Sequence, residues 1–336
     1  MKKLLAYILS MVMVMALLAG CSSDKPEEAA STKEGTTKEG TEKKDTAKKE
    51  DTEKKEDTGK KNKIILITMD SIDQHWVNVD KGAQKAADEL GAEYKWMAPD
   101  KKDDAQQIER VNNAVADGAD AIVIAANGPD AITAALEEAK NAGIKIVYVD
   151  SPANTEACAT FSTNNKAAGK TAGGVLLEEL KAQNISEGKI GIVNVNPSTD
   201  SVVQREMGFR EAFEGTSFEI LETQYGEGDV AKSQEIAENY ITQGVVGIFG
   251  TNEGSSVGVG NAIKGAGGSV VGVGFDKSDA NISLVKDGSL LAIMAQNPDV
   301  MGYEGVKAAV QAINGEEIPE KDVDTGVSVI TKDTLP

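Results

Sequence analysis

The chain has 336 residues, a formal net charge of −19 at pH 7, one histidine and two cysteines. Zinc needs clustered His and Cys, which this chain lacks, and the charge disfavours nucleic acid and anionic ligands. Neutral or cationic ligands stay open, and the length suits more than one core.

Residues 1–20 begin with Lys2 and Lys3 and continue as an apolar run, Leu4 to Ala19, interrupted by Tyr7 and Ser10. The run is shorter than the ~20 residues of a bilayer span and ends in small residues, as a secretory signal does. Its ending, Leu18-Ala19-Gly20-Cys21, resembles the lipobox of bacterial lipoproteins. That resemblance implies a signal peptide over 1–20 and acylation of Cys21. The chain would then be lipid-anchored on the extracytoplasmic face of a bacterial cell membrane. Cys158 would be a single thiol, expected to pack before a strand. Residues 22–62 contain no aromatic, Val, Ile or Leu, and their 11 Lys nearly balance 12 Asp and Glu. Such a segment cannot bury enough surface to offset chain entropy. With Cys21 it is expected to be a disordered tether over 21–62.

From residue 63 onward, apolar runs alternate with amphipathic helical stretches. Strands are expected at 63–69, 93–98, 121–126, 145–150, 189–195, 218–224, 246–250, 270–275 and 290–295. "AIVIA" and "IKIVYV" are apolar at nearly every position, the pattern of a parallel strand covered on both faces. Between strands, Ile108, Val111 and Val115 recur at helical spacing. Repeated strand–helix units predict an α/β fold of two doubly wound parallel sheets, about five strands each.

Ligands of such sheets bind beyond the carboxyl ends of the strands. The residues at those exits are Asp70, Asp73, His75 and Trp76, then Asn127, Asp150-Ser151, Asn194, Asn196 and Asp200. They continue with Arg205 on the following helix, Asn252-Glu253, Asp276 and Gln296-Asn297. A lone Asp at such a place is as readily a helix cap as a ligand. Seven polar exits together point to a shared site.

The chemistry narrows by elimination. His75 has no suitably placed nucleophile, so no catalytic residue is assigned. The exit carboxylates have amide or arginine companions, which suggests permanent ionisation rather than paired acid–base work. "PDKKDD", residues 99–104, lacks the spacing and glycine of a calcium loop and reads as a solvated loop. No metal site is assigned. Gly258-Val-Gly260 is an incomplete dinucleotide fingerprint, so no cofactor is expected. A neutral, hydroxyl-rich ligand fits best. Asp accepts, Arg donates, and Asn and Gln do both.

Several segments then carry a resemblance: "KGAQKAADELG", "IVYVDSP", "STNNKAAGKTAG", "QREMGF", "VGVGFD" and "IMAQNPDVMGYEGVKAA". Over residues 63–331 the chain resembles type I periplasmic-binding proteins of sugar transporters, the ribose-binding group in particular. The resemblance implies two similar lobes joined by a three-strand hinge, with crossovers near Thr163-Asn164, Gln296-Asn297 and Thr325. The first lobe would be 63–163 plus 297–325, the second 164–296 plus 326–336. It implies sugar ligands at Asp150, Arg205, Asn252, Asp276 and Gln296, with His75 and Trp76 on the group's two stacking aromatics. Asp73 stands where the group has asparagine, Ser151 where it has arginine, and Gly228 where it has an aromatic. One wall and one positive donor are therefore expected to be missing, which opens the site to a hexose, a polyol or a furanose-like signal such as autoinducer-2. The implied function is a non-enzymatic, monomeric solute-binding lipoprotein delivering a monosaccharide to an ABC permease and its ATPase. A signalling receptor for a sugar or autoinducer-2 would use the same site, and a carbohydrate-active enzyme stands behind both.

Overall fold

The computed structural model describes residues 61–335. The expected signal peptide, the acylated Cys21 and most of the tether lie outside them. The elements in order are β1 (Lys63–Ile67), α1 (Gln74–Leu90), β2 (Glu93–Met97), α2 (Asp104–Ala116), β3 (Ala121–Ile124), α3 (Pro129–Asn141), β4 (Lys145–Val149) and β5 (Thr160–Ser162). Next come α4 (Asn165–Ala182), β6 (Glu187–Asn194), α5 (Asp200–Ala212), β7 (Ser217–Ile220), β8 (Gln224–Tyr225), α6 (Val230–Thr242), β9 (Val245–Gly250) and α7 (Glu253–Gly265). The chain continues with β10 (Val271–Phe275), α8 (Asp279–Asp287), β11 (Ala292–Gln296), α9 (Pro298–Asn314), β12 (Asp322–Asp324) and β13 (Val327–Thr331).

Two sheets result, ordered β12-β5-β4-β3-β1-β2 and β13-β11-β10-β9-β6-β7, with β8 also on β6. Every pairing is parallel except β11 with β13. The expected nine strands are present, with the 218–224 run divided between β7 and β8. The sheets are larger than five strands because β5, β12 and β13 add to them.

Strands of both sheets are buried on two faces. Ile64 and Leu66 enter one core of the first sheet and Ile65 and Ile67 the opposite core. All four are fully buried, each worth about 1.5–3 kcal/mol relative to exposure. The second sheet repeats the plan, with Val193 on one face and Ile190 and Ile192 on the other.

Helix pairs cover the sheets at close range. A Cβ on Gly169 of α4 would lie 1.9 Å from the Arg205 carbonyl of α5, and one on Gly208 would lie 1.8 Å from the Lys166 carbonyl. Backbones this close tolerate only glycine, and the contact fixes the part of α5 that carries Arg205. Gly82 of α1 and Gly302 of α9 make the equivalent crossing over the first sheet.

The chain passes between the sheets three times: between β5 and β6, between β11 and β12, and between β12 and β13. Asn297 Nδ2 donates to the Thr325 carbonyl at 2.7 Å, tying two of these passages together.

Candidate ligand-binding site

The carboxyl ends of both sheets face one buried polar cluster. From the first sheet come Asp73, His75 and Trp76 after β1, and Asp150 after β4. From the second come Arg205 on α5, Asn252 after β9, Asp276 after β10 and Gln296 ending β11. All eight residues selected from the sequence line one enclosed space, with Lys102 among them.

Asp150 and Asp276 are related by the repeat. Each ends its strand in the left-handed region, at φ 59° and 72°. The N–H of Asp150 donates to the Phe161 carbonyl, and that of Asp276 to Met294, both at 2.9 Å. Aspartate tolerates this backbone better than most non-glycine residues, and such conformations concentrate at functional sites.

His75 lies between these two acids. Its Nε2 is 3.1 Å from Asp150 Oδ2 and its Nδ1 is 3.6 Å from Asp276 Oδ1. The Nε2 contact is an ion-pair distance but off the line of a hydrogen bond. Burial lowers the imidazole pKa, but the Asp276 charge and the Asp150 contact outweigh it, so the net direction is upward. Burial raises Asp150, and His75 and Arg205 more than reverse that, so Asp150 titrates below its usual range. His75 is 6% exposed and edge-on to Trp76, with ring centroids 4.6 Å apart.

Arg205 is held before it meets anything in the cavity. Its Nε donates to Asn165 Oδ1 at 2.8 Å and its Nη1 to the Thr251 carbonyl at 3.0 Å. The guanidinium lies 4.1 Å from the Phe275 ring centre. Its Nη2 is 3.7 Å from Asp150 Oδ2 and has no hydrogen-bond partner among the described residues, nor has Trp76 Nε1. Gln296 is oriented at both ends: Thr163 donates to its Oε1 at 2.8 Å, and its Nε2 donates to Asp276 Oδ1 at 2.6 Å.

The start of α1 is capped from the other sheet. Asp73 occupies the N-cap position, but its side chain makes no cap bond. Glu253 of α7 instead takes the N–H groups of Gln74 and His75, both at 2.9 Å. Burial and then the charge of Asp73 raise its carboxyl to about 7. Asn252 caps α7 through Oδ1, accepting from Ser255 N–H at 3.0 Å, which leaves Nδ2 3.5 Å from Asp73 Oδ2.

Lys102 is the residue the sequence reading missed. "PDKKDD" was expected to be a solvated loop, yet this side chain is 8% exposed and bonds both Asp70 and, at 2.9 Å, Asp73. A cation therefore stands near the Gly228 wall, although a serine occupies position 151. Burial opposes the ammonium, but Asp73 and Asp70 raise its pKa. Burial raises Asp70 too. The Lys102 charge and hydrogen bond and the N–H groups of Asp73 and Ile72 overcome it and bring Asp70 below its usual range. For Asp73 burial wins over Lys102 and the pKa rises. Burial thus exceeds the available compensation at Asp73 and Glu253 and shifts both carboxyls upward, Glu253 to about 7.

Other exit residues support the site without lining it. Asn127 Nδ2 donates to Asp104, Asn194 braces Val195 and Glu206, and Asn196 organises Ser198 and Thr199. Ser151 Oγ accepts the Ser201 N–H at 3.2 Å, and Thr199 Oγ1 donates to the Asn127 carbonyl at 2.5 Å. These two contacts join the sheets.

The enclosed space is about 20 Å³, room for roughly one water. A groove of about 810 Å³ lies beyond His75, Asp276 and Gln296, lined also by Lys81, Lys277 and Tyr303. The groove is larger, but the buried acids, arginine and amides converge on the smaller space. A ring-sized ligand there requires side-chain movement or separation of the sheets.

Residues 64–317 match the family model described as a periplasmic binding protein domain. The ribose import binding protein of Escherichia coli is 29% identical over 267 residues, 78% of this chain and 88% of the relative. Its counterpart in Haemophilus influenzae is 28% identical over 262 residues, 76% and 88% of the two chains. A solute-binding protein structure from Agrobacterium vitis with bound D-fucose superimposes with a TM-score of 0.77 at 31% identity, covering 81% of this chain and 96% of that one. With one fold, one set of strand exits and this match, the chain belongs to the periplasmic binding protein domain family.

Proposed function

We propose that this protein is the solute-binding component of an ABC importer, taking an uncharged monosaccharide between its lobes and delivering it to the permease. The carrying observation is the convergence of Asp150, Arg205, Asn252, Asp276 and Gln296, from both sheets, on one buried space. The carboxylates accept hydrogen bonds from sugar hydroxyls, Arg205 Nη2 and Trp76 Nε1 donate them, and the amides do both. His75 and Trp76 supply ring surface, and Asp73 supplies a further acceptor. The lobes, 63–163 with 297–325 and 164–296 with 326–336, turn about the three passages as a hinge. Cys21 carries the lipid that holds the protein, as a monomer, on the extracytoplasmic face of the membrane. No step of this reading requires catalysis or a cofactor.

The test is calorimetric titration with D-ribose, D-allose, D-arabinose, D-fucose and D-tagatose. One or more should bind saturably and be recovered unchanged. Binding by none of them, or chemical conversion of the bound sugar, contradicts the reading. For the anchor, Cys21→Ala should abolish fatty-acid labelling; labelling that persists rejects it.

A further inference from the structure

We propose that Lys102 is a ligand-contacting residue that selects a hydroxyl at the Gly228 side of the cavity. This rests on the sugar-binding reading above.

An ammonium carries three N–H donors. Two of them are committed, to Asp70 and Asp73. The third remains, on a side chain that is 8% exposed and borders the same enclosed space as Asp73 and Asn252. The two carboxylates hold the ammonium from different positions of one turn, so its direction is fixed before a ligand arrives. Asp70 is itself fixed by two backbone N–H groups, from Ile72 and Asp73, at 2.7 and 2.9 Å.

Gly228 packs directly against this lysine and leaves room for it. A Cβ on Gly228 would stand 3.0 Å from Lys102 Cδ, Cε and Nζ, and Gly228 has φ +71°. A larger side chain at 228 and Lys102 in this position exclude each other. The wall therefore presents charge and hydrogen bonds to the ligand rather than apolar surface.

A hydroxyl matches this corner. It can donate to Asp73 and accept from Lys102 together. A carboxylate has no proton to donate to Asp73, and either a carboxylate or a phosphate would add negative charge to a cluster that already holds two acids to one lysine. The class selected is a neutral polyhydroxylated molecule bearing a hydroxyl, not a bare C–H face or an anionic group, at this end. Asp70 acts through Lys102 as a positioning residue.

The experiment compares wild type with Lys102→Met, titrated with the sugar of the panel that binds wild type best and with each of its monodeoxy analogues. Lys102→Met should weaken the parent sugar about ten- to a hundredfold, the range for a bond to a charged group. One monodeoxy analogue should lose a similar factor on wild type. On Lys102→Met that analogue and the parent should agree within about twofold, the non-additivity of a shared contact. Equal losses for every analogue on both proteins would overturn the proposal, leaving Lys102 a partner of the two acids only. If Lys102→Met does not fold, Asp70→Asn combined with Lys102→Met removes one of the two carboxylates left without their cation and carries the same comparison. Failure of every sugar to bind wild type would overturn the sugar reading and this inference with it, a result distinct from an additive cycle.

Discussion

Trp76 combines two roles that single substitutions can separate. It is 4% exposed and packs in a core of the first sheet with Met69, Val79 and Met301, while its Nε1 has no hydrogen-bond partner among the described residues and its ring borders the ligand space. Trp76→Ala should therefore cost about 3–5 kcal/mol of stability, which would mask any binding effect. Trp76→Phe keeps most of the packing and removes the donor. It should melt close to wild type yet bind sugar several-fold more weakly; unchanged affinity would make Trp76 core alone. Arg205→Lys is expected to behave as a drastic change, since a lysine cannot reach Asn165, Thr251 and the ligand from one planar group. Affinity measured by titration should fall at least tenfold, and near-normal binding would remove Arg205 from the ligand set.

The region of the site was legible because strand exits of a doubly wound sheet converge whatever the details of packing; the narrowing to these eight residues came from the resemblance to the ribose-binding group. Lys102 was not legible. A lysine among lysines and aspartates has the composition of a wet loop, and its partners lie 32 and 29 positions away. The available signal was indirect: Asp70 and Asp73 leave the same strand within one turn, and two buried acids so close need a cation.

Among elements, α1 takes its N-terminal cap from the other sheet. Its N-terminal N–H groups are satisfied by Glu253 rather than by Asp73, and this sets where His75 and Trp76 lie. A carboxyl raised from 4.5 to about 7 holds its proton more tightly in the folded state. Its contribution is present below pH 4.5 and lost as pH rises to about 7, up to about 3 kcal/mol at 1.36 kcal/mol per unit. His75, also raised, adds a loss in the same direction that begins above 6.5. Thermal unfolding should thus show stability falling from pH 5 to 8. Glu253→Gln should flatten the part below pH 7, and a slope unchanged by that substitution would show that Glu253 does not titrate there. Strands β5, β12 and β13 went unread for a related reason. "TFS" and "DVD" hold one apolar residue each and "VSVIT" alternates, so none shows the doubly buried pattern of a central strand. β12 and β13 end their sheets, where neighbours and not burial define them.

At the scale of the molecule, the two sheets meet through contacts that a ligand must interrupt to enter: Glu253 on α1, Thr199 on Asn127 and Ser201 on Ser151. A space of about 20 Å³ must enlarge for a ring-sized ligand; if the sheets separate to admit it, binding energy must favour the closed arrangement over the open one. The central claim is that a neutral sugar binds where both sheets contribute. Its most direct test is a thermal-shift titration of wild type and Asp276→Asn with the five-sugar panel. Asparagine keeps the backbone at φ 72° accessible while removing the acceptor charge. One or more sugars should stabilise wild type, by about 2.7 kcal/mol at a hundred times Kd, and Asp276→Asn should lose most of this at the same concentration. Stabilisation of both proteins alike, or of neither by any sugar, would contradict it.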